Sequence, residues 1–137
     1  MPDKPPTCAP LADEIEARHD SLCADVIPLL EGLPGQGDGE RRQFISGFLH
    51  LVSQAARGDL SLRDEYLETI IPGCKHVGMD LGYIVSVLVH IFMELGARVG
   101  EDAKAFGGDA ARATKRAFLT TFAIDYTKRL VAVWQRS

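Results

Sequence analysis

The chain has 137 residues, 46% of them hydrophobic and 25% charged, which is the size and balance of one globular domain able to hold a core without staples. With 15 Lys and Arg against 19 Asp and Glu, the formal charge is −4, so the basic footprint that nucleic acid or an anionic bilayer needs is missing. Cys8, Cys23 and Cys74 form no CxxC pair, which points to neither a disulfide framework nor a zinc knuckle. The proline-rich start lacks the apolar stretch of a secretory signal. The most apolar run, over 83–95, is short for a bilayer span and contains His90 and Glu94. A cytoplasmic domain with no nucleic-acid and no membrane partner is the expectation.

Residues 1–10 hold four of the 7 prolines and no periodicity, and read as a flexible N-terminal arm before a single helical domain over 11–137. Leu11, Ile15, Leu22, Val26, Leu29 and Leu30 approximate the stripe of a first helix, which Pro28 bends or ends. Asp13, Glu14 and Glu16 read as its acidic first turn, favoured by the macrodipole. The run Leu33-Pro34-Gly35-Gln36-Gly37-Asp38-Gly39 predicts a loop. A second helix follows with Phe44, Ile45, Phe48, Leu49, Val52, Ala55 and Ala56 on one face, ending at Gly58 in a left-handed conformation.

Ser61-Leu62-Arg63-Asp64 has the pattern of a capping box for a third helix carrying Leu62, Tyr66, Leu67, Ile70 and Ile71. Pro72-Gly73 predicts an interruption, with a short resumption to Val77. Asp80 caps a fourth helix to about Gly96. It is apolar nearly all round, the pattern of a helix surrounded by protein at the centre of the fold. A glycine-containing connection over 96–108 leads to a last helix from Asp109 to about Gln135, with Phe118, Leu119, Phe122, Tyr126, Leu130, Val133 and Trp134 in phase. At 1.5 Å per residue it is about 40 Å long. The fold class is all-α, with about five main helices and a long C-terminal one.

No GxSxG, HExxH, P-loop or Rossmann glycine signature occurs, and no nucleophile, base and oxyanion donor can be named together, so an enzyme is not expected. His19 and Cys23 share a helix face at i, i+4. Asp20 lies off that face, and a His beside a buried thiol is the simpler reading than a metal site. His50 reads as a surface residue. His90, inside the apolar fourth helix, reads as a core histidine bonded to a carbonyl. Trp134 needs a cover in a monomer, and a second copy of the chain is an economical one. Phe118, Tyr126, Leu130 and Trp134 are therefore the candidate interface of a homodimer.

The stretch over 41–134, about two thirds of the chain, resembles the N-terminal sensor domains of the RsbR family, the non-haem globin-like modules of bacterial stressosome proteins. The resemblance rests on the helix with Phe44, Phe48 and Leu49, the break at Gly58-Asp59, and the helix end Cys74-Lys75-His76-Val77-Gly78-Met79-Asp80-Leu81. The apolar helix over 84–95 and the long helix with Tyr126 and Trp134 complete it. It implies a globin-like fold and a non-enzymatic signalling domain in a stress response. Such a domain dimerises and passes its signal along the last helix to a STAS-type output domain or a stressosome-type partner. In globin-coupled haem sensors, His-x-x-Ile-Gly-Leu supplies the proximal iron ligand. Here Cys74 stands at that position and His76 is displaced by two residues, which favours the non-haem branch.

No cofactor is therefore expected. The alternative is a haem or tetrapyrrole sensor, in which Cys74, His76, His90 and Met93 would be the residues to hold the group between the last three helices. Ile70, Val85, Leu88, Phe92, Phe118 and Phe122 would line that pocket. A further alternative is the effector-binding and dimerisation domain of a transcription regulator.

Overall fold

The structure, a computed structural model, describes residues 7–30, 38–99 and 108–137. They form α1 (Ala9–Ala17), α2 (His19–Val26), a 3-10 turn (Ile27–Leu30), α3 (Asp38–Ala56), α4 (Ser61–His76), α5 (Leu81–Arg98) and α6 (Gly108–Arg136), with no strand among the described residues. The fold is all-α. The arm over 1–6, the loop over 33–37 and the connection over 100–107 lie outside the described residues.

The apolar stripes of α3 and α6 are the frame. α1 packs chiefly on α3, while α4 and α5 both pack on α6. Ile45, Phe48, Leu49 and Val52 of α3 are buried as their spacing predicts, and so are Phe118, Phe122, Tyr126 and Leu130 of α6. At the centre, Phe48 meets Phe92 edge-on at 5.4 Å between ring centroids and Tyr126 at 5.7 Å. Phe92 meets Phe122 at 5.9 Å. These T-shaped contacts add about 0.5–1.5 kcal/mol per pair beyond area burial. Two glycines permit the approach of α3 and α4. A Cβ on Gly47 would sit 1.5 Å from the Tyr66 hydroxyl oxygen, and Gly58 closes α3 at φ 97° as expected.

Several local expectations are corrected. The first helix is two, broken at Arg18, whose guanidinium reaches Glu14 Oε2 at 2.6 Å and the Arg98 carbonyl at 3.0 Å. The body begins earlier than Leu11: Pro10 sits in the first turn of α1, where its missing N–H costs nothing, and the Cys8 amide donates to the Ala56 carbonyl at 2.7 Å. Asp38 and Gly39 belong to α3 and not to a loop. There is no capping box on α4. Leu60 occupies the cap position, Asp59 accepts from the Ser61 amide and hydroxyl, and the Asp64 carboxylate is taken by Arg63. α4 also runs unbroken through Pro72 to His76, since burial of Leu67 and Ile71 outweighs one lost backbone bond.

The largest correction concerns α5, which is not enclosed by protein. It buries Ile84, Leu88, Ile91, Phe92 and Leu95 on one side and leaves Val89 43% and Met93 67% exposed. It has one broad neighbour, α6, so its apolar residues exceed the positions available for burial. With 18 residues and a mean hydropathy of 1.4, it is also just long and apolar enough to cross a bilayer, a test that core helices of soluble domains pass too.

Asp13, Glu14 and Glu16 are not a helix-dipole turn either. Glu14 and Lys115 have fully buried side chains and meet at 2.7 Å across 101 positions of sequence. Asp13 and Glu16 hold Arg57 at the end of α3, and Ser53 donates to Glu16 at 2.9 Å. The Arg57 and Ser53 hydrogen bonds set the Glu16 carboxyl below its ordinary pKa.

Breaking a buried pair from one side costs about 3–5 kcal/mol. Lys115→Met is expected to cost about 3 kcal/mol in urea unfolding, and Glu14→Leu to cost less on that background than alone, with a coupling energy of about 1 kcal/mol or more. A folded-state pKa below the unfolded one means that the Glu16 contribution is complete above about 4.5, its ordinary value, and is lost as pH falls through the lowered value. Acid titration of unfolding midpoints should show Glu16→Gln to have a shallower loss of stability below that pH than the unmodified chain.

Candidate functional site

The residues proposed for a haem do not converge. Cys74, half-buried near the end of α4, lines a cavity of about 50 Å³ with Ile71, Ile84, Leu88 and Tyr126. That is far below the roughly 300–1,000 Å³ of small-molecule sites. His76 is exposed on the last turn of α4. His90 is exposed as well, and not the core histidine its sequence position predicted. Its Nδ1 lies 2.7 Å from the Ser86 carbonyl, within α5 itself. Met93 lies in a different groove. Burial raises the Cys74 thiol pKa, which disfavours the thiolate an iron ligand needs. The residues present do not fit a haem.

The interface residues divide in the same way. Phe118, Tyr126 and Leu130 are spent on the chain's own core, at 7%, 3% and 0% exposure. They face α3, α4 and α5 because the stripe of α6 is the stripe that fills the bundle. Trp134 is half-buried, and its cover comes from the chain itself: Lys75 Nζ lies 5.6 Å from the ring centroid and donates to the Trp134 carbonyl at 2.9 Å. This is a cation–π contact that also satisfies a carbonyl at the end of α6.

What remains open is the outer seam between α5 and α6. A groove of about 340 Å³ runs there over Val89, Phe92, Met93, Leu119, Ala123 and Ile124. Its lips are the three large apolar side chains Val89, Met93 and Ile124, the last 54% exposed. Sequence reasoning passed over this surface because an apolar residue in a helical stripe reads as core. The available signal was the excess of α5, whose apolar residues cover more of its circumference than one packing face can use.

A polar cluster joins α2 to α3. The Ser46 hydroxyl lies 3.2 Å from His19 Nε2, Asp20 Oδ1 3.4 Å from His19 Nδ1, and Cys23 Sγ 3.9 Å from the same nitrogen. The order hydroxyl, imidazole, carboxylate is that of a nucleophilic triad. Yet Ser46 sits in the middle of α3, where neighbouring backbone N–H groups are engaged in the helix and cannot form an oxyanion hole. Asp20 is fully exposed, so its pull on the imidazole is weakened by water. Burial and the Asp20 charge raise the Cys23 thiol pKa. The cluster ties two helices together. Among the described residues no group of three or more His, Cys, Asp or Glu is placed to hold a metal ion.

Protein purified from haem-supplemented cells is expected to lack a stoichiometric Soret band in its absorption spectrum, and Cys74→Ala and His90→Ala to leave that spectrum unchanged. No known protein family matches this chain, and neither does any curated protein or solved structure.

Proposed function

We propose that the chain is a non-enzymatic, cytoplasmic sensor domain of globin-like type that works as a homodimer and passes its signal through α6 to a STAS-type output or stressosome-type partner. The observation that carries the reading is the apolar seam of α5 and α6, with Val89, Met93 and Ile124 exposed around a groove. Contiguous exposed apolar surface of this kind marks an interaction face. A two-fold pairing sets the same patch of each copy against the other, and long, flexible Met93 and branched Ile124 are suited to fill a facing groove.

The likeness to RsbR-type sensor domains supports the second half of the reading. α6, at 29 residues, contributes at once to the core, to the seam and to the end of the bundle that Lys75 holds. A shift of α6 in one copy changes the surface offered to the other, which is the helix-shift class of switching transition.

Sedimentation velocity over a concentration series tests the pairing. The expected result is a reversible monomer–dimer equilibrium, with Met93→Glu plus Ile124→Glu weakening it by about tenfold or more while circular dichroism stays helical. A strict monomer at the highest concentration, or a doubly substituted chain that pairs as before, overturns the reading.

A further inference from the structure

At 100° per residue, the side of α6 opposite the seam carries Phe118, Thr121, Phe122, Asp125 and Arg129. These residues, with the end of α3 and the start of α4, enclose a second cavity of about 290 Å³. Its apolar wall is the pair Phe118 and Phe122, parallel to within 11° with centroids 6.0 Å apart. Its polar wall is an arrangement of charges. Asp125 Oδ2 accepts from Arg63 at 3.1 Å and from Arg129 Nε at 2.9 Å. The Arg63 side chain is only 6% exposed and is further held by Asp64.

Two guanidiniums share the Asp125 carboxylate, and Asp64 takes up the remaining charge of Arg63, so the group that turns to the cavity is the guanidinium of Arg129. Arg129 uses only its Nε edge on the protein. Its two terminal nitrogens make no protein hydrogen bond among the described residues, and neither does the Thr121 hydroxyl.

We propose that this cavity binds a small aromatic monocarboxylate, with its ring against Phe118 and Phe122 and its carboxylate on the free edge of Arg129, assisted by Thr121. A planar guanidinium edge matches the two oxygens of a carboxylate. Parallel phenyl rings match a flat apolar body, and the volume is at the small end of ligand sites. Buried Arg63 has the role of a positioning residue: it anchors Asp125, and Asp125 in turn holds the Nε edge of Arg129 so that the other edge is presented without ordering cost. The proposal does not rest on pairing through the seam, since the cavity lies within one copy.

The test is a titration of ¹⁵N-labelled protein, read by amide chemical shifts, with benzoate, benzyl alcohol and benzylammonium as probes. Benzoate is expected to saturate one site and to shift amides over 118–129. Benzyl alcohol is expected to bind about tenfold more weakly or worse, and benzylammonium more weakly still. Arg129→Ala, at a half-exposed position, should weaken benzoate about tenfold or more, and Thr121→Trp should block the cavity while both variants keep their helical circular dichroism. The proposal is overturned if benzoate gives no saturable shifts, if the neutral or cationic probe binds as tightly, or if Arg129→Ala binds benzoate unchanged. The oligomeric state measured by sedimentation is a separate readout, so failure of one proposal is not failure of the other.

Discussion

α1 has nine residues, and a helix of that length has no stability of its own in water. What places it is a carboxylate in the interior. Glu14 draws Lys115 from α6 and Arg18 from the α1–α2 break, and Arg18 extends the network to the last turn of α5 through the Arg98 carbonyl. Three distant stretches of chain therefore meet at one buried point. Apolar contacts there would tolerate a sliding of α1 along α3. A carboxylate and an ammonium without water tolerate only the geometry that pairs them. Arg57, held by Asp13 and Glu16 at the far end of α3, repeats the device at the surface with less at stake.

From that point the bundle is built outward on α6. The buried side of α6 supplies the aromatic cluster, one flank meets α5 at the apolar seam, and the opposite flank meets α3 and α4 at the cavity with two arginines. A helix that contributes to all three cannot adjust to one without affecting the others. Its neighbours differ in kind: rings and aliphatic chains inside, exposed methyl and thioether groups at the seam, guanidiniums and a carboxylate at the cavity. The same backbone is thus subject to dispersion forces, solvent exclusion and charge within a few turns.

Much of the fold was legible in periodicity. The faces of α3 and α6, the turn at Gly58 and the Asp80 cap, which accepts from the Tyr83 amide, follow from spacing and residue type. What was not legible depended on tertiary partners. Glu14 looks like any acidic residue near a helix start, and only the arrival of Lys115 from 101 positions away makes it a core residue. The apparent capping box at Ser61 lost to Asp59, which reaches the same amide from two residues earlier. Pattern alone cannot tell a helix with many neighbours from one with too few, so α5 reads as central.

The sites were less legible than the fold for the same reason. Met93 reads as a ligand for iron beside Cys74, yet it lies exposed on the outer seam of α5 and α6. Phe118, Tyr126 and Leu130 read from spacing as partner contacts, and their burial gives them to the core. The i, i+4 pair of Asp125 and Arg129 is visible in sequence but ordinary. It becomes distinctive only because Arg63 is brought to the same oxygen from 62 positions away, which no local pattern records.

The contact of Lys75 with the end of α6 has a kinetic consequence. Helix termini are usually the first segments to open, and their amides exchange with solvent early. Here the ammonium of Lys75 holds the carbonyls of Trp134 and Ser137 while its stem lies by the indole ring, and Arg136 reaches back to Glu68 on the same helix as Lys75. The final turns of α4 and α6 are therefore expected to open together more often than apart, with their amides exchanging at similar rates.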